Sequence, residues 1–147
     1  MSKIRKFTVA IDFDGTLITN AWPEEGYDMV GGSQTIHWLL ANGARVIVWT
    51  CRVEQECPPG APHSTLAFVR DWIAAHGLQQ YLGHSLLINQ NFPDVIESFG
   101  NIDTRKVFAH VYVDDRNLGG FSGWGAAHLL LAEMLNEFQE RQAALGS

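Results

Sequence analysis

Four short apolar runs, each spent within a few residues and each followed by polar or turn residues, constrain this chain most. They are Phe7 to Asp12, Ala44 to Thr50, Leu86 to Ile88 and Val107 to Val113. The longer ones are rich in β-branched residues and are almost continuously apolar, without the in–out alternation of a half-exposed strand. A strand of that kind is covered on both faces. Between the runs lie stretches with helical spacing, and strands that alternate with helices build a parallel sheet. The expectation is therefore an α/β fold, a doubly wound parallel sheet with helices on both faces.

The helical stretches carry their own punctuation. Ser33 is placed to cap a helix whose apolar residues are Ile36, Leu39 and Leu40, with Gly43 as its stop. Ser64 is placed to cap a second, with Leu66, Val69, Trp72 and Ile73 on one face and Gly77 beyond its end. From about Ala126 to Ala144 runs a long amphipathic helix with Leu131, Met134, Leu135 and Phe138 on one face. Trp22 to Gly32 and the proline-rich Glu56 to Pro62 read as loops, and Asn89 to Thr104 has no regular pattern. Neither repeat nor linker divides the chain, so residues 1–147 are expected to form a single domain.

Composition removes several function classes. No apolar stretch is long enough to span a membrane, and Met-Ser-Lys-Ile-Arg-Lys leads into a strand and not a signal-peptide core; a cytoplasmic protein is expected. The formal net charge of −6 argues against general nucleic-acid binding, which draws on clustered Lys and Arg. Cys51 and Cys57 lack zinc-site spacing, and a disulfide between them is not expected in a reducing compartment.

Ligands of open parallel sheets sit at the carboxyl ends of the strands. Here those ends hold Asp12 and Asp14, then Thr50, then Asp114 and Asp115, with Arg52 and Lys106 nearby. Two anions two positions apart resist joint ionisation unless a proton or cation lies between them. A turn uses Asp and Gly freely, but does not require two acids after an apolar strand. Several acids without His or Cys make a hard, all-oxygen site suited to Mg²⁺. In such a site one carboxylate can act as nucleophile and another as proton donor, while a Thr hydroxyl and a cation hold phosphoryl oxygens.

The order of these residues resembles the haloacid dehalogenase superfamily of phosphotransferases. Asp12-Phe13-Asp14-Gly15-Thr16 matches its first motif, Asp-x-Asp-x-Thr; Thr50 matches its second; Asp114-Asp115 matches its fourth. The resemblance implies a Rossmann-like fold, Asp12 as nucleophile and Asp14 as general acid/base. It also implies Mg²⁺ bound through Asp12, Asp14 (by its backbone carbonyl), Asp114 and, through water or indirectly, Asp115. An acid at position 14 is the phosphatase pattern. Gly15, Thr16 and Arg52 are then expected at the phosphate or substrate, with a structural ion pair as the other reading of Arg52. The third motif calls for a Lys or Arg upstream of the acidic pair; Lys106 and Arg105 are the alternatives.

Only 35 residues separate Asp14 from Thr50, which leaves no room for the large cap domain of many relatives. The resemblance thus implies a small, capless, Mg²⁺-dependent phosphatase acting on a phosphorylated small molecule or macromolecular end, with a second subunit as one way to close the site. Two other readings compete. One is a catalytically weak phosphate-binding or scaffold protein that keeps the fold; the other is a receiver-type phosphoacceptor, whose paired acids would fall on the first strand. Trp22 and Tyr27 are candidates for the cleft entrance. Cys51, turned away from Thr50 by strand alternation, reads as packing, and His37, His63, His76, His84, His110 and His128 have no metal spacing.

Overall fold

The structure is a computed structural model that describes residues 4–56, 60 and 63–146. Its centre is a parallel sheet of β1 (Thr8–Ile11), β2 (Arg45–Val48), β3 (Leu86–Ile88) and β4 (Val111–Val113), in the order β3-β2-β1-β4. In register, Val9 lies between Val46 and Val111, and Ile11 between Val48 and Val113. β1 is flanked on both sides and buried throughout, which is why its residues carry no polar alternation.

Alternate residues feed two cores. Val9, Ile11, Val46 and Val48 pack with α1 (Gly32–Ala41), α2 (Thr65–Ala75) and α4 (Trp124–Gly146) in the larger. Ala10 and Ile47 point the other way, onto Phe92, Val95, Val107 and Ala109, beside the short α3 (Pro93–Ser98). The fold is thus α/β and Rossmann-like, with helices on both faces and no large cap. Among the described residues no helix is long and apolar enough to cross a membrane.

Several expectations shift at their boundaries. α2 is capped as read: Ser64 Oγ accepts from the Ala67 N–H at 3.1 Å. Ser33, however, lies inside α1, which is capped by Gly31 at φ 99° while Gln34 Oε1 accepts from the Gly31 N–H at 3.0 Å. The cause is tertiary. A Cβ on Gly31 would fall 2.8 Å from Trp124 Cβ, so two glycines make room for the start of α4 against α1. The last strand is shorter than expected, because Val107 and Ala109 leave the ladder to pack in the smaller core. Met134 lies off the buried stripe of α4, which runs through Trp124, Ala127, Leu131 and Leu135.

The irregular stretch Asn89 to Thr104 contains α3, opened by Pro93, and is closed by one side chain. Asn91 accepts from the Phe108 N–H at 2.7 Å and donates to Asp103 Oδ1 at 3.0 Å. The loop Glu56 to Pro62 and Cys57 lie largely outside the described residues.

Candidate functional site

The site begins where the ladder ends. The Asp12 N–H donates to Val113 O and the Trp49 N–H to Ile11 O, each at 2.9 Å, so the ends of β4, β1 and β2 lie side by side. Beyond Asp12 the chain turns at once: the Leu17 and Ile18 N–H groups both return to Phe13 O, at 2.9 and 3.1 Å. Gly15 sits in this turn at φ 85°, and a Cβ there would lie 2.3 Å from Asp115 Oδ2. Only glycine meets both demands, positive φ and the close approach of a carboxylate.

Thr16 is fully buried and locks the turn to the acidic pair. Its hydroxyl donates to Asp12 Oδ2 at 3.3 Å and accepts from the Asp115 N–H at 3.2 Å. Its carbonyl accepts from Trp124 Nε1 at 2.7 Å, so the first residue of α4 braces the site from below. Gly15 and Thr16 therefore shape the turn that presents the acids, and neither is part of the wall of the cleft over those acids.

Asp12, Asp114 and Asp115 each offer an oxygen, and the three oxygens lie within 4.8 Å of one another. Asp114 Oδ1 also accepts from the Arg116 N–H at 2.9 Å. Asp115 Oδ1 is buried with no hydrogen-bond partner. Burial first, then the neighbouring charges of Asp114 and Asp115, push the Asp12 carboxyl from 3.8 up to about 8. Three acids this close need a shared proton or a cation, and an orphaned carboxylate oxygen fits the same need. An all-oxygen donor set suits a hard divalent ion. Asp115 joins the cluster as directly as Asp114 does.

Asp14 stands apart from that cluster. Arg52 Nε donates to its Oδ2 at 2.8 Å and Arg52 Nη2 to its Oδ1 at 2.6 Å. The same guanidinium donates to Pro23 O at 3.0 Å and Glu24 O at 2.7 Å, and lies 5.5 Å from the Phe13 ring centre and 5.3 Å from that of Phe68. Its side chain is wholly buried. Arg52 is thus a clamp joining three loops, which is the structural ion pair, one of the two readings of this residue.

A cleft of about 590 Å³ opens over these residues, with Asp12, Asp14, Thr50 and Asp114 in its wall. Thr50 is oriented by Asn89, whose Oδ1 accepts from the Thr50 N–H at 2.8 Å, and its Oγ1 accepts from the Arg52 N–H at 3.1 Å. Its hydroxyl proton can then point into the cleft. The rest of the wall comes from Trp22, as expected, and from Asn20, Trp49, Cys51 and Arg116. Cys51 is exposed at this wall, contrary to the packing role expected from alternation, because β2 has already ended at Val48. Tyr27 points to solvent and does not line the cleft.

Lys106 does not reach the cleft. Its Nζ lies 4.8 Å from the centre of the Tyr112 ring, and Arg105 beside it is exposed and also outside the wall. Among the described residues, Arg116 is the cation in the cleft wall. Its signal in the sequence was adjacency to Asp114-Asp115 at the end of a strand. None of the histidines, all among the described residues, lines the cleft; His110 Nδ1 accepts from the Thr8 N–H at 3.0 Å and stacks on Phe7, with burial the main cause lowering its pKa.

Fold and site together define an α/β protein with a carboxylate-walled cleft at the carboxyl edge of its sheet. Among solved structures the chain is similar to a conserved protein encoded at a locus of Bacteroides thetaiotaomicron, at 28% identity and a TM-score of 0.68, covering 88% of this chain and 92% of that one. No protein-family model and no curated protein matches the sequence.

Proposed function

We propose that the protein is a Mg²⁺-dependent phosphatase of the haloacid dehalogenase superfamily, with Asp12 as its nucleophile. The observation that carries this reading is the cluster of Asp12, Asp114 and Asp115, with its buried unpartnered oxygen, at the end of a motif-bearing strand. These three residues would hold the ion, which supplies neutralisation of the acids and of the incoming phosphate. An Asp12 oxygen attacks phosphorus as the bond to the ester oxygen breaks, and the leaving oxygen takes up a proton. Water then attacks the aspartyl phosphate, restoring Asp12 and releasing phosphate. Thr50 and Arg116 are the side chains available to hold phosphoryl oxygens.

Asp14 is the proton donor and later the base, and Arg52 fixes where it stands. With both oxygens engaged by the guanidinium, Asp14 must give up at least one of those bonds to carry a proton. That requirement, with Lys106 away from the cleft, favours the second reading: a phosphate-binding protein without turnover. Hydrolysis of p-nitrophenyl phosphate separates the two. Turnover that depends on Mg²⁺ and disappears in Asp12→Asn supports the phosphatase; a folded protein that binds phosphate without turnover supports the alternative.

A further inference from the structure

The cleft holds more than acids. Trp22 forms part of its wall and is 57% exposed, an unusual position for the largest apolar side chain. Its loop is firmly built. Thr19 and Tyr27 close the base, with the Thr19 N–H on Tyr27 O at 2.7 Å and the Tyr27 N–H on Thr19 Oγ1 at 2.8 Å. The buried Arg52 guanidinium then holds the carbonyls of Pro23 and Glu24, the two residues after Trp22. The backbone that presents this indole is therefore pinned beside the reacting carboxylates. Trp49, half-buried against the smaller core, contributes a second indole from the end of β2.

We propose that the cleft takes a nucleoside monophosphate, its base lying against Trp22 with Trp49 as the second aromatic wall. This rests on the phosphatase reading of the same cleft and names its substrate class. Indole faces bind flat π-systems with little dependence on hydrogen bonds. A sugar phosphate would instead need several polar side chains for its hydroxyl groups. Apart from the acids and Thr50, the wall offers Asn20 and Arg116 as its polar side chains. Among the described residues a single cation lines the cleft, which in a chain of net charge −6 suits one phosphate and not a polyanionic strand. The volume of about 590 Å³ lies within the range of small-molecule sites.

Binding is measured by calorimetry in Mg²⁺ on the full-length Asp12→Asn protein, so that bound nucleotide persists, with AMP and ribose 5-phosphate as probes. AMP is expected to bind tighter than ribose 5-phosphate by roughly 5- to 150-fold, the span of one base stack on an aromatic side chain. Adding Trp22→Ala removes that advantage and leaves ribose 5-phosphate binding unchanged, while Trp22→Phe keeps part of it. Equal affinities for the two probes, tighter binding of glucose 6-phosphate or phosphotyrosine than of AMP, or equal weakening of both probes by Trp22→Ala overturns the inference. Preferred binding of AMP that the native protein never hydrolyses defeats the phosphatase reading alone. Hydrolysis of AMP and ribose 5-phosphate with the same kcat/KM defeats the nucleotide inference alone.

Discussion

Raising the pH of the metal-free protein tests the crowded acids without reference to any substrate. Asp12 titrates at about 8 in the folded chain against 3.8 for a free side chain. Between those values the folded chain holds a proton that the unfolded chain has released, so stability falls as pH rises. The contribution is complete below pH 3.8, is lost progressively up to about pH 8 and is flat beyond. The full interval corresponds to about 6 kcal/mol at 1.36 kcal/mol per unit; Asp12 is partly open to solvent, and screening reduces this to roughly 2–3 kcal/mol. At about 2–4 °C per kcal/mol for a domain of this size, Tm drops by roughly 4–12 °C relative to Asp12→Asn, which has no proton to lose. Thermal melts in chelator from below about pH 4 up to about pH 9, on both proteins, read this difference directly. Mg²⁺ at about 100 times its Kd adds about 2.7 kcal/mol to the native protein, and less at pH 6, where Asp12 must first lose its proton. Parallel pH profiles for the two proteins in chelator would refute the argument, as would equal Mg²⁺ stabilisation of both.

Other substitutions follow from particular contacts. Arg52→Met leaves Asp14 and the carbonyls of Pro23 and Glu24 without their donor and is expected to cost about 3 kcal/mol or more, seen as a lower urea midpoint. Gly15→Ala sets a methyl against Asp115 Oδ2 at positive φ; it is expected to cost about 1–3 kcal/mol and to weaken Mg²⁺ stabilisation in the same melts. Lys106→Ala is expected to change stability by less than about 0.5 kcal/mol and to leave phosphate binding alone, whereas Arg116→Ala raises the phosphate Kd about tenfold.

The sheet was legible because its strands are buried on both faces, and a run such as Val46 to Val48 has no other use. Ser64 was legible as a cap because its hydroxyl serves the backbone three residues on, a local event. Gly31 was not, because its role is set by Trp124, which is distant in sequence and near in space. α3 escaped notice because six residues do not complete two turns and show no period. At the site, the positions of Asp12, Thr50, Asp114 and Asp115 follow from strand ends alone. The destination of each cation does not. Arg52 turns inward to Asp14 and two carbonyls, Lys106 settles over Tyr112, and Arg116 faces the cleft; charge and spacing looked alike for all three.

The most direct test of the account is chemical trapping of the proposed intermediate. The native protein is mixed with a phosphoester and Mg²⁺, quenched in acid, and reduced with borohydride, which converts an acyl phosphate to an alcohol. Peptide mass spectrometry is then expected to find the modification at Asp12, dependent on substrate and on Mg²⁺. Turnover without any mark on Asp12, or a mark on another carboxylate, contradicts the account.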